Sequence, residues 1–380
     1  MQRPRIKPAH NPVWTHDDRI RIGSMQFGIG AEIDASDNDA VWRVFELMDG
    51  SRTPAEILAE FTKGRPDIDD ESAEALMNAL IAAGFAEDAA ADPPPTITAR
   101  DVERYARGTL FYSWVDTEPR RSPWEVQSRL KSSRVTVLGL GGAGSAAATA
   151  LVASGVGSLH CVDFERVELS NLNRQSIYGE DDLGRGKVES ALARLRGLNR
   201  DISITGEDLG VADASAIERL LADCDLFLLC ADKPEPLEIL NWTNEAALRA
   251  EKPWILSFYA GPMLVVGLQD PPRTPCYRCL RHAAEVEGRI EGDGLRFLIP
   301  DLVINAVVAP SAAMAGNLAA LEALYFLGGL KTSTYGRIFH LSLTTYDFQY
   351  YVEAEPWPGC PTCGGRAARA EASQVEAATT

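Results

Sequence analysis

The stretch that most constrains this chain runs from Arg134 to Lys187 and reads RVTVLGLGGAGSAAATALVASGVGSLHCVDFERVELSNLNRQSIYGEDDLGRGK. Arg134 to Leu138 is a short β-branched run of strand type. It feeds directly into Gly139, Gly141, Gly142 and Gly144, after which an alanine-rich helix begins. A strand that breaks on glycines into a helix gathers free N–H groups and the positive end of the helix dipole at one spot, which favours a phosphate. The same glycines also serve tight helix–strand packing, and Gly139, Gly141 and Gly144 fit the dinucleotide fingerprint. A second strand, Ser158 to Val162, ends at Asp163, where a carboxylate accepts from ribose hydroxyls. To this point a nicotinamide dinucleotide remains open.

The next residues depart from a dehydrogenase. Asn171-Leu172-Asn173-Arg174-Gln175, followed by Lys187, brings two cations and an amide to the same strand ends. A hydride-transfer enzyme holds a pyrophosphate without attacking it, whereas polar groups converging on phosphates suit a site where a phosphate bond breaks. The apolar run Leu226 to Cys230 then reads as a strand that leads to Asp232. With these motifs in this order, the chain from about Asp101 to Arg366 resembles the adenylating superfamily of ubiquitin-activating enzymes, in particular its bacterial ThiF and MoeB branch.

The resemblance implies an α/β, Rossmann-like adenylation domain that uses ATP and Mg2+, and it implies roles residue by residue. Gly139, Gly141, Gly142 and Gly144 would cradle the nucleotide, Asp163 would hold the ribose, Asn171 and Arg174 the phosphates, and Lys187 the α-phosphate. Asp232 matches the aspartate that holds Mg2+, a hard ion that prefers carboxylate and phosphate oxygen. Arg104-Tyr105-Ala106-Arg107 resembles the Arg-Tyr-x-Arg signature whose last arginine reaches a partner subunit's ATP site; a homodimer with Arg107 acting in trans follows from it. Three positions depart from the pattern: Lys233 and Leu237 stand where asparagine and arginine are common, and Gly108 where glutamine follows the arginine. Asn241 falls where an asparagine is expected.

Four of the seven cysteines form two Cys-x-x-Cys knuckles, Cys276-Tyr277-Arg278-Cys279 and Cys360-Pro361-Thr362-Cys363. Such a pair reads as a closed tetrahedral Zn2+ site, hence a structural one. Cys161, Cys224 and Cys230 lie in or beside apolar strands and read as small core residues. Relatives that pass an activated substrate to a thiol keep that cysteine in the crossover region, here about Leu280 to Asn305, which has none; this argues for adenylation without an enzyme thioester. His160, His282 and His340 have no spacing that makes a triad or metal pair and read as structural.

Residues 1–88 read as a separate small α+β domain of winged-helix type. Two strand-like pieces, Arg19 to Ile22 and Met25 to Ile33, precede a helix over Ala40 to Leu47, with Ser36 and Asp37 as available caps. Thr53-Pro54-Ala55-Glu56 combines a capping box with proline at the first helical position and predicts a helix through Phe61; a third spans Ser72 to Ala83. The phrases Val41 to Thr53 and Leu80 to Phe85 resemble the PqqD-type domain, which binds the leader of a ribosomally made precursor peptide as an added strand. A dimerisation or packing module is the plainer reading. Residues 89–100, with Pro93, Pro94 and Pro95, read as a semi-rigid linker to the adenylation domain, residues 101–366, and 367–380 as a disordered tail.

The net charge of −17 argues against nucleic acid, whose phosphates demand basic surface. No basic-plus-apolar signal opens the chain, which points to the cytoplasm. Ala306 to Leu327 is long enough for a membrane span, but Pro310, Asn317 and Glu322 within it favour a buried helix. Three functions follow in order of preference: adenylation of a carboxylate on a precursor peptide whose leader the N-terminal domain grips; a leader-binding scaffold for a separate YcaO cyclodehydratase; and activation of a small sulfur-carrier protein.

Overall fold

In the computed structural model, which describes residues 1–15, 19–23, 29–33, 38–63, 70–288 and 306–364, the chain divides into two units. One is Met1–Arg129 with Gly328–Lys331, the other Leu130–Leu327 with Thr332–Thr380. The expected caps Ser36 and Asp37 and the expected tail 367–380 lie outside the described residues.

The first unit holds β1 (Pro4–Ile6), β2 (Val13–Trp14), β3 (Ile20–Ile22), β4 (Ala31–Ile33), α1 (Asn38–Leu47), α2 (Pro54–Thr62), α3 (Glu71–Ala82), β5 (Ala86–Asp88) and α4 (Ala99–Val115). β2, β3 and β4 form an antiparallel meander, and β1 pairs with β5. Strand alternation sets the inner face: Ile20 and Ile22 are buried against Val44, Phe45, Ile57, Phe61 and Leu80, while Arg21 between them points out to Glu32 at 2.6 Å. The capping box is formed as read, the Thr53 hydroxyl accepting from the Glu56 amide at 3.3 Å and the Glu56 carboxylate from the Thr53 amide at 2.7 Å.

The boundary of this unit falls well past the proline-rich segment at 89–100, and α4, which carries Arg107, groups with the N-terminal residues. Two buried side chains account for that. Lys7 Nζ donates to the Asp116 carbonyl at 2.7 Å, and His10 Nε2 lies 3.1 Å from the Ser113 carbonyl. The His10 ring is fully buried, and burial first of all holds its pKa below the ordinary 6.5. The native ring therefore resists the proton that the unfolded ring accepts, so its contribution is present above about pH 6.5 and lost as pH falls through the native value. Protection factors for hydrogen exchange at β1 and at the end of α4, taken relative to the intrinsic base-catalysed rate at each pH, will fall as the solution is acidified, and His10→Gln will flatten that dependence; an unchanged pH profile in the variant contradicts the assignment.

α5 (Glu125–Ser132) leads to the second unit, whose elements are β6 (Arg134–Leu138), α6 (Gly142–Ala153), β7 (Ser158–Asp163), α7 (Lys187–Leu198), β8 (Ser203–Asp208), α8 (Ala214–Ala222), β9 (Leu226–Leu229), α9 (Pro236–Ala250), β10 (Trp254–Ala260), β11 (Met263–Gln269), α10 (Tyr277–Val286), α11 (Ala309–Gly328), β12 (Ile338–Ser342) and β13 (Gln349–Val352). The eight-stranded sheet runs β13-β12-β11-β10-β9-β6-β7-β8. From β10 to β8 it is parallel, and β11, β12 and β13 extend it antiparallel. Parallel strands covered on both faces need near-continuous apolar runs; all four residues of β9 and Val135 to Leu138 of β6 are buried.

Strand order reverses at β6. The chain goes from β6 to β7 and β8 on one side and returns to β9 on the other, so a crevice opens beyond the carboxyl ends of β6, β7 and β9. The apolar stretch near the C-terminus is α11, buried along one face with Ala312, Ala315, Ala319 and Ala323, while Pro310, Met314 and Asn317 are exposed. Its small residues let it cross α6 closely: a Cβ on Gly142 would lie 2.7 Å from Ala312 Cβ, and one on Gly316 would run into the Ala143 carbonyl oxygen. Glu322 of α11 is buried and accepts from the Thr334 amide at 2.8 Å and its hydroxyl at 2.6 Å. No helix among the described residues is long and apolar enough to cross a membrane.

Candidate nucleotide site and cysteine cluster

The glycines between β6 and α6 have different reasons for being glycine. Gly139 sits at φ +92°, where an L side chain is strained, and a Cβ there would lie 2.7 Å from the Ala231 amide nitrogen at the end of β9. A Cβ on Gly144 would strike the Gly139 carbonyl oxygen. These two let the turn close on itself, and Gly142 admits α11. Gly141, the N-cap of α6, is different: a Cβ there would meet nothing nearer than Gln175 Nε2 at 3.9 Å. Packing does not require glycine at 141, so what the missing side chain leaves room for is a group approaching the helix N-terminus. Gly141→Ala will fold with a stability loss of about 1 kcal/mol or less and yet weaken ATP binding. Unaltered affinity for ATP in that variant contradicts the cradle.

Asp163 ends β7 directly beside this turn. Its carboxylate accepts from the Leu140 amide at 2.7 Å and from the Glu165 amide at 2.8 Å, and Tyr178 Oη donates to the Leu140 carbonyl at 3.0 Å, so the turn is fixed from both sides. Burial raises the Asp163 pKa, against the pull of the Lys187 charge and the two amides. Asn171 closes the short 3-10 turn Leu169–Asn171, its Oδ1 accepting from the Glu168 amide at 3.1 Å. Arg174 donates through Nη1 to the Ser170 carbonyl and to Asn173 Oδ1, each at 3.0 Å. Its Nε is buried without a partner among the described residues, as is Gln175 Oε1.

Lys187 is the first residue of α7, with its side chain 2% exposed and Nζ 2.6 Å from Glu165 Oε2. Lys233 Nζ reaches the other oxygen of the same carboxylate, Glu165 Oε1, at 3.4 Å. Burial pushes the Glu165 carboxyl up, but the hydrogen bond from Lys187 and the charges of both lysines prevail and hold it below the usual range. Asp232 lies just past β9, exposed and without a hydrogen bond or ion pair among the described residues. Tyr259 of β10 hydrogen-bonds Arg174 and feels the Asp232 charge; burial is the main cause raising its phenol, with Arg174 opposing. A Cβ on Gly142 would lie 3.4 Å from Tyr259 Oη and 3.6 Å from Arg174 Cγ, so both side chains stand over the first turn of α6.

The glycine turn, Asp163, Arg174, Lys187 and Asp232 thus gather at the carboxyl ends of β6, β7 and β9, and Asn171 shapes the loop that carries Arg174. Arg107, exposed on α4, belongs to the first unit. Glu165 and Tyr259 were not singled out in the sequence. An acidic residue two positions after Asp163 was a signal for the first; nothing local marks Tyr259. Orphaned donors and acceptors, an open cradle at Gly141 and three cations fit a polyphosphate.

The four knuckle cysteines converge in the second unit. Their Sγ atoms all lie within 4.8 Å of one another, with Cys276–Cys279 at 3.8 Å, Cys276–Cys360 at 3.6 Å and Cys279–Cys363 at 3.4 Å. A tetrahedron of bonds about 2.3 Å long puts sulfurs about 3.8 Å apart, so the cluster fits zinc. Hydrogen bonds, first from Cys276 and also from the Trp357 amide at 3.3 Å, pull the Cys279 thiol down to about 5, towards the thiolate that a metal takes. Burial pushes Cys161 and Cys230 up to about 12 and Cys224 to about 11, which makes them inert packing groups. His160 bonds Thr205 Oγ1 at 2.9 Å, His282 stacks on Trp357 and His340 on Tyr350.

A mixed α/β sheet with a glycine turn at its switch point, cations around that turn and a four-sulfur staple defines a nucleotide-using α/β protein. The chain belongs to the ThiF family, whose sequence model matches residues 116–362. It is 34% identical over 241 residues to the molybdopterin-synthase adenylyltransferase of Escherichia coli, covering 63% of this chain and 90% of that one. To the sulfur carrier protein adenylyltransferase of Thermus thermophilus it is 30% identical over 285 residues, 74% of this chain and 97% of the relative. Among solved structures it is similar in fold to E. coli MccB, with a TM-score of 0.78 at 21% identity, covering 96% of this chain and 97% of MccB. MccB has also been solved with ATP and with MccA-N7isoASN. The chain is a ThiF-like adenylyltransferase, and the use of ATP follows from the family.

Proposed function

We propose that this protein adenylates a carboxylate of a ribosomally made precursor peptide. The observation that carries the reading is coverage. Likeness to MccB, which has been solved with MccA-N7isoASN, extends over 96% of the chain and so takes in the N-terminal unit, whereas the match to the E. coli adenylyltransferase spans 63%. On this reading the first unit is the peptide-gripping part. Its three-stranded sheet has the short edge strands β2 and β4, to which an extended leader adds by main-chain hydrogen bonds, and the Trp14 and Trp42 rings, 5.5 Å apart, offer a pocket wall for its side chains.

A carboxylate is a poor acylating agent because oxide is a poor leaving group. Attack of a carboxylate oxygen on the α-phosphorus of ATP forms a C–O–P bond and breaks the bond to the bridging oxygen, so pyrophosphate leaves with the electron pair. Charge develops on phosphate oxygens, and preorganised cations are what the step needs. Gly139, Gly141, Gly142 and Gly144 shape the cradle, Asp163 holds the ribose, Asn171 and Arg174 orient the phosphates, and Lys187 faces the α-phosphate. Asp232 would hold Mg2+, which would supply a hard cation for phosphate oxygens. Cys276, Cys279, Cys360 and Cys363 would hold a structural Zn2+. Arg107 serves the site of a second copy; Leu110, Phe111 and Trp114, exposed beside it on α4, form the apolar stripe that a homodimer would cover.

Activation of a small sulfur-carrier protein is the second reading, favoured by the names of the curated relatives. ATP–pyrophosphate exchange separates the two: stimulation by the cognate precursor peptide supports peptide adenylation, and stimulation only by a carrier protein with a free C-terminal carboxylate supports the second. No exchange with either leaves the leader-binding scaffold for a YcaO partner.

A further inference from the structure

Lys233 occupies a position where the family commonly has asparagine, and its surroundings give it a use. Glu165 bridges two amino groups that arrive from different elements: Lys187 at 2.6 Å from the start of α7, and Lys233 at 3.4 Å from the loop after β9, next to Asp232. The two differ in freedom. Lys187 is 2% exposed and fixed, whereas Lys233 is 58% exposed at the rim, on a long stem. Asp163, Glu165 and Asp232 place three carboxylates at this edge of a chain of net charge −17, a poor setting for a polyanion unless cations outweigh them. An asparagine at 233 would offer only a dipole; a lysine offers a full charge and three donors.

We infer that Lys233 is a second phosphate-binding cation, placed by Glu165 and directed at the β- and γ-phosphates of ATP, outside the α-phosphate position given to Lys187. Glu165 acts as a positioning residue that holds both ammonium groups on one carboxylate. This rests on the nucleotide reading above.

The test is equilibrium binding of ATP and of AMP to the full-length protein at low and high NaCl. Lys233→Met will bind ATP about tenfold more weakly, the scale of a lost charge-assisted contact, with a shallower salt dependence and AMP affinity within about twofold of the parent. Lys233→Arg will restore most of the ATP affinity, and Glu165→Gln will weaken ATP binding as well. Parent-like ATP affinity and salt dependence in Lys233→Met overturns the inference, as does an equal loss for AMP, which would make the residue merely structural. If Lys187→Met abolishes ATP binding while Lys233→Met does not, only this inference falls. A parent protein that binds no ATP overturns the nucleotide reading itself.

Discussion

Lys187→Met and Asp232→Ala will each lower peptide-dependent ATP–pyrophosphate exchange by about a hundredfold or more, the usual effect of removing one preorganised contact to developing charge. The two substitutions act in different places. Lys187 is buried and held by Glu165 at 2.6 Å, so its ammonium is oriented before substrate arrives and little reorganisation is needed at the moment of reaction. Methionine keeps most of the volume and removes the charge, and Glu165 keeps Lys233 at 3.4 Å as a partner. Asp232 is exposed, so alanine there alters no core contact and a loss of exchange reports on the site rather than on folding, in line with the proposed role at Mg2+. Thermal unfolding close to that of the parent will accompany both losses. Exchange at the parent rate in either variant removes that residue from the site.

Stripping metal with a chelator, or Cys360→Ser, will unfold the C-terminal part of the second unit before the rest. The cluster ties the start of α10 to the segment after β13 across a long stretch of chain, and Leu248 of α9 packs against the sulfurs. Binding energy of a structural zinc is folding energy, roughly 10 kcal/mol or more, and little else holds residues 353–364, which have no regular strand and few buried side chains. The expected result is one zinc per chain, with amide protection lost first around β13 and Trp357 on chelation. A metal-free protein that melts at the parent temperature contradicts the staple.

What the sequence made legible was local. The strand–glycine–helix junction, Asp163 at the end of β7, the Thr53 capping box and each Cys-x-x-Cys knuckle taken singly are short-range patterns, whereas Lys187 was read as a cation at the strand ends and only the fold shows that it opens α7. The glycine run was legible as a turn but not by position: sequence shows that Gly139, Gly141 and Gly144 lack a side chain, not what a Cβ would strike, and only the fold separates the two that close the turn from the one that leaves space. Tyr259 was invisible because it comes to Arg174 from β10, far along the chain. The grouping of α4 with the N-terminal residues was hidden for a similar reason. It depends on Lys7 and His10, two single polar residues with no periodicity, while the proline run at 93–95 advertised a boundary more loudly. β1 and β5, three residues each, are too short to show alternation.

The measurement closest to the central claim is 31P NMR of the nucleotide products during turnover with the precursor peptide. Carboxylate attack at the α-phosphorus predicts one pyrophosphate for each adenylyl group, the latter found as peptide-bound adenylate or, after a nucleophile or water discharges it, as AMP; both products are absent with Lys187→Met. Release of ADP and inorganic phosphate would place the attack at the γ-phosphorus and contradict the account.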